Sequence, residues 1–187
     1  MLHASGLSPA VITQCLHRRF LDVNRPEGHD PYQDARLAKH YRIFHDAVDD
    51  AVRTAYQRHG RALLIDLHGF ATSPGPERYD LVLGSDSGAT CPLASDRVLQ
   101  AMLDARGWNV AFSPDPARGV SARYRGGWTV RRTARDFRLE QVEACQIEIA
   151  RHLRTGEDFL TADAERLVVD LADTLMALMH RARRGVA

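Results

Sequence analysis

The sequence is poor in lysine and cysteine, and it has no long run of apolar residues. Three cysteines, Cys15, Cys91 and Cys145, lie far apart without CxxC spacing. That argues against a thiolate zinc site and a disulfide framework, so the expectation is a protein of the reducing cytoplasm. No stretch approaches the roughly 18 consecutive apolar residues of a membrane span, and the first residues lack the pattern of a signal peptide. Charge of one sign is scarce too. The 25 Lys+Arg stand among 24 Asp+Glu for a net charge of +1, without a basic block, which predicts no nucleic-acid and no membrane partner. Lys39 is the single lysine. The remaining cations are arginines, whose planar forks suit carboxylates. What is present is 187 residues with 44% hydrophobic content, enough for one substantial core, and the chain reads as a single domain over 1–187.

Periodicity divides the chain into strands and helices. Residues 10–16 and 61–67 are short apolar runs of strand length. Between them Leu37, Tyr41, Phe44, Val48, Val52 and Ala55 recur at steps of three and four, predicting an amphipathic helix over 32–58 that Gly60 ends. A Gly/Pro-rich loop at 69–78, a strand at 79–84, a helix near 94–106 ending at Gly107 and a strand at 108–112 follow. The stretch 114–127 reads as an exposed loop, and 128–132 as a short strand or hairpin arm. Residues 145–150 alternate as a strand, and 161–182 form a second amphipathic helix on Leu167, Leu171, Leu175 and Leu178. The alternation predicts an α/β sheet.

Four places carry groups capable of chemistry. Asp66 and His68 close an apolar strand at i and i+2, so they share a face at a strand end; the imidazole suits a metal, with the carboxylate behind it. A histidine that only hydrogen-bonds a loop fits the same pattern. Asn24 and Arg25, in Asp-Val-Asn-Arg-Pro, combine an amide and a forked cation able to clamp a carboxylate, although Asn also serves turns and Arg solvent. Glu148, flanked by Ile147 and Ile149, is a carboxylate in apolar surroundings, which pushes its titration toward neutrality and suits a general base; a strand-face ion pair is the competing reading. Arg125, Gly126, Gly127 and Arg131 offer close backbone approach with positive potential, or a plain hairpin. The other histidines show no HxxH or HExxH spacing and read as structural.

Taken in order, Asp-Val-Asn-Arg-Pro at 22–26, Ile-Asp-Leu-His-Gly at 65–69, Arg-Gly-Gly-Trp-Thr-Val-Arg-Arg at 125–132 and Gln-Ile-Glu-Ile at 146–149 resemble the N-formylglutamate amidohydrolase family. The Asn-Arg, His, Glu succession is also similar to the wider zinc carboxypeptidase and aspartoacylase group. The resemblance implies an α/β fold with a mixed sheet flanked by helices, of the zinc carboxypeptidase kind (phosphorylase/hydrolase-like). It implies one zinc ion with His68 as ligand and Asp66 in support. Asn24 and Arg25 would hold the substrate carboxylate, with Arg125, Gly126, Gly127 and Arg131 completing the substrate site, and Glu148 would be the general base. Zinc-activated water would then attack the amide of a small acidic N-acyl amino acid, in a setting such as histidine catabolism.

The family carries two further zinc ligands, a His and a carboxylate, upstream of the Asn-Arg motif. Here His3 is followed by Ala4, Ser5 and Gly6, which does not reproduce that pattern. The expectation is therefore a chain that begins after the metal-ligand segment. Two alternatives stand beside it: a catalytically degenerate homologue acting as a carboxylate-binding module, and a site that recruits His17, His29 or a partner subunit in a homo-oligomer.

Overall fold

The computed structural model describes residues 9–138, 141–154 and 161–183; His3 lies outside them. Helix α1 runs Ala38–His59 and stops where Gly60 takes φ 68° and donates its N–H to Tyr56 O. Strand β1 (Ala62–Phe70) follows, then β2 (Leu81–Gly84), helix α2 (Ser95–Asp104), β3 (Val110–Phe112), helix α3 (Trp128–Phe137), β4 (Val142–Ala150) and helix α4 (Ala162–Arg183).

The four strands form one sheet in the order β1-β4-β2-β3. β1 runs parallel to β4, β4 antiparallel to β2, and β2 parallel to β3, so the sheet is mixed. Its two faces are covered by different helices, as the alternation of each strand requires. Ile65, Leu81, Leu83, Cys145 and Ile147 point to one side, where Leu99 and Leu103 of α2 and Leu167 and Leu171 of α4 close the larger core. On the other side Ala62, Leu64 and Val142 meet Val48 and Val52 of α1 and Phe137 of α3. A smaller cluster, Phe70, Tyr79, Val82, Ala111, Val120 and Ala150 with Tyr124, covers the far part of that second face. Between the two clusters the face is polar: Asp66, His68, Gln146 and Glu148 lie there.

Two expectations are corrected. Residues 10–16 are irregular rather than a strand; Ile12 packs against the α1 cluster while Val11 is exposed. The segment at 128–132 is the first half of α3, not a hairpin arm. Thr129, Val130 and Thr133 are buried and Arg131, Arg135 and Asp136 exposed, a helical rhythm that becomes visible only over the full ten residues.

Candidate functional site

Register brings the site together. β1 and β4 are aligned so that His68 is opposite Glu148 and Asp66 opposite Gln146, all with side chains on the same face. Asp66 Oδ1 lies 3.0 Å from His68 Nε2, as the i, i+2 spacing predicts. The loop before α1 supplies Asn24, whose Nδ2 is 3.2 Å from the same His68 nitrogen.

That loop is held by Asp22, which is buried, accepts from Asn24 N (3.1 Å) and Arg18 Nε (2.8 Å), and forms an ion pair with Arg25 (Nε at 3.0 Å). Tyr41 of α1 donates to Arg25 O at 2.7 Å and fixes the loop from below. From the other side comes the amino end of α3. Thr129 N donates to Asn24 Oδ1 (3.0 Å), and Gly127 N donates to Gln146 Oε1. Glycines make these approaches possible. A Cβ on Gly127 would run into the Asn24 side chain, and one on Gly84 into Tyr124 O and Gly126 N, so the loop lies directly on the sheet. Gly126 sits at φ +117°, a conformation that L side chains rarely adopt.

The hydrogen bonds determine proton positions. Because Thr129 N–H can only donate, the Asn24 amide turns its NH2 toward His68 Nε2, which serves that donor only if the ring nitrogen is bare. An ionised Asp66 needs the opposite, a proton on Nε2. One neutral tautomer cannot satisfy both. Burial opposes charge on His68, yet the Asp66 hydrogen bond and the negative charges of Asp66 and Glu148 outweigh it and raise its pKa. Glu148 is also raised, mainly by burial, against the opposing charge of His68 and the hydrogen bond from Gln146.

The arginines expected around the substrate are less convergent. Arg25 is paired with Asp22, Arg125 with Asp86 at 3.0 Å, and Arg131 is exposed with its Nε on Gly127 O. Arg18, which spacing did not single out, is the arginine whose charge reaches both His68 and Glu148. Its i, i+4 relation to Asp22 is the one signal that could have found it. Gln146 was likewise visible only as part of a motif.

Asp66 Oδ2 and Glu148 Oε2 are buried with no hydrogen-bond partner among the described residues. An imidazole and two carboxylates are donor types that zinc takes, but among the described residues no three His, Cys, Asp or Glu side chains group closely enough to hold a metal ion. The set falls short of the three protein ligands of a catalytic zinc.

The chain is thus an α/β protein with a His/carboxylate pair near the carboxyl ends of two parallel strands, one carboxylate raised above its ordinary value by burial. The family model described as N-formylglutamate amidohydrolase matches residues 32–155, and the chain belongs to that family. The crystal structure of an N-formylglutamate amidohydrolase from Ralstonia eutropha JMP134 is similar over 81% of this chain and 54% of its own, with 28% identity and a TM-score of 0.65. A gene product of Agrobacterium tumefaciens shares the fold over 87% of this chain and 64% of its own, with 19% identity and a TM-score of 0.52. The chain thus spans about half the length of the first of these structures. No curated protein matches it. No helix among the described residues is long and apolar enough to cross a membrane.

Proposed function

We propose that this chain is an amidohydrolase that cleaves the amide of an N-formyl or N-acyl amino acid, with N-formylglutamate as the first substrate to test. The observation that carries the reading is Glu148: a buried carboxylate with one oxygen free, directly across the ladder from His68 and raised toward neutrality. Oε2 takes a proton from water as the water oxygen bonds to the amide carbon. When the C–N bond breaks, that proton passes to the leaving nitrogen, releasing a carboxylic acid and a free amino acid. Asn24 and Arg25 hold the substrate carboxylate in this proposal, Arg25 exchanging Asp22 for it, with Arg125, Gly126, Gly127 and Arg131 around the acyl group.

One zinc ion, with His68 as the ligand this chain offers and Asp66 behind it, belongs to the proposal on the family resemblance, as do the zinc-carboxypeptidase kinship, the cytoplasm and a place in histidine catabolism. Elemental analysis of the purified chain tests the zinc directly. Zinc near one per chain that is lost in His68→Ala would support the ion and its ligand; equal content in both would remove His68 from the set, and no zinc in either would remove the ion from the proposal.

A second reading is favoured by the absence of a three-donor group among the described residues. In it the chain binds an acidic N-acyl amino acid without cleaving it. Calorimetry with N-formyl-L-glutamate, run beside an assay for released formate, separates the two: heat of binding with no formate supports the module, and formate supports the hydrolase.

A further inference from the structure

Gln146 lies in the middle of β4, 4% exposed, with Asp66 beside it on β1 and Gly84 beside it on β2. Its amide is used at both ends. Gly127 N–H donates to Oε1, and Nε2 donates to Glu148 Oε1. The direction of these bonds is not free. A backbone N–H can only donate, so the atom facing Gly127 must be the amide oxygen, and the NH2 is turned toward Glu148. Glu148 Oε1 must then accept, because an O–H there would face an N–H. The other oxygen, Oε2, has no hydrogen-bond partner among the described residues.

We propose that Gln146 is a positioning residue: its amide holds Glu148 Oε1 as a permanent acceptor, reserves Oε2 for the proton in transit, and ties that carboxylate to the Gly126–Trp128 loop. The inference rests on the proposed role of Glu148 as the base and gives that role a direction. One oxygen is committed to the scaffold, so the carboxylate cannot rotate, and the lone pair that takes the proton keeps a fixed aim. The same amide makes the aim depend on the loop. If the amino end of α3 shifts, the Gly127 N–H that anchors Gln146 shifts with it.

A plain structural crosslink between loop and strand would use the same two hydrogen bonds, and a pair of substitutions separates the roles. Gln146→Glu keeps the shape and can still accept from Gly127 N–H, but it sets a second carboxyl group against Glu148, so the pair repels or shares a proton and Oε1 is no longer held as a plain acceptor. Gln146→Leu removes both bonds. With N-formyl-L-glutamate as substrate, Gln146→Glu is expected to lower kcat about a hundredfold with KM within about twofold of the native value. Gln146→Leu is expected to lower kcat comparably and also to raise KM, because the loop loses its anchor. A native kcat in Gln146→Glu would overturn the inference and leave a crosslink. So would parallel losses in both variants that follow only the folded fraction seen in thermal melts.

The side-chain amide signal of Gln146, assigned by its loss in Gln146→Glu, provides a readout that needs no turnover. In Glu148→Ala it should shift and its protons should exchange faster. An unmoved signal in a chain that does release formate defeats the inference and spares the hydrolase reading. A moved signal in a chain that releases none supports the link and defeats that reading.

Discussion

β4 carries two buried carboxylates, Glu143 and Glu148, on opposite faces of the sheet, and they are treated in opposite ways. Glu143 is 1% exposed and fully used. Its Oε1 accepts from Leu93 N at 2.9 Å and Ser95 N at 3.2 Å, its Oε2 accepts from Ser95 Oγ, and Arg61 stands 3.9 Å away. It serves the amino end of α2, which has no side-chain cap of its own, and so brings a negative charge to the N–H groups that a helix start leaves unpaired. Glu148 is 5% exposed and has one amide partner on one oxygen. The free Oε2 costs the fold something, since a buried acceptor without a donor loses its hydration for no return. Burial alone therefore does not mark a functional carboxylate on this strand. The unfilled hydrogen-bonding capacity does.

Breaking the satisfied member should have the largest effect on the fold. Glu143→Ala strands two backbone N–H groups, a hydroxyl and Arg61, and urea unfolding should show a loss of about 3 kcal/mol. Activity per folded molecule should survive. Next comes the geometry that feeds the unsatisfied member. Gly127→Ala meets no backbone penalty at φ −74° but drives a methyl into Asn24, and KM for N-formyl-L-glutamate should rise about tenfold with a smaller change in kcat.

The smallest effect is the most diagnostic. Folding raises the Glu148 pKa above the usual carboxylate range, so the folded state favours its proton, and the ionised form works against folding at neutral pH. A neutral isostere removes that opposition. Glu148→Gln should therefore be more stable than the native chain by up to about 1 kcal/mol at neutral pH. The advantage should shrink as pH falls through the raised value and vanish below the ordinary carboxylate value. Melting temperatures measured from pH 4 to 8 check the sign. A loss of stability at neutral pH would mean that the charge is satisfied after all.

The contrast also explains what could be read without coordinates. β1, β4, α1 and α4 were legible because each buries a regular stripe: alternating residues on the strands, and steps of three and four on α1 and α4. Residues 10–16 have the same apolar letters but pair with no strand in the sheet, and one side chain, Ile12, meets the core. α3 was misread because its buried set, Thr129, Val130 and Thr133, begins with β-branched residues and follows two glycines. Within the site, the Asp66–His68 pairing follows from strand geometry, and the isoleucines beside Glu148 announced its burial. That Glu148 faces His68 depends on the β1–β4 register, which no single segment encodes. The turning of Arg25 toward Asp22 was written in their i, i+3 spacing, whereas the direction of the Gln146 amide depends on a loop nineteen residues earlier in the chain.

The most direct test is formate release from N-formyl-L-glutamate, with zinc supplied, by the native chain beside Glu148→Gln and Glu143→Gln, each corrected for folded fraction. Turnover in the native chain, kept in Glu143→Gln and reduced at least about a hundredfold in Glu148→Gln, is what the contrast between the two carboxylates predicts. Equal turnover in the native chain and Glu148→Gln, or equal loss in both variants, would contradict it.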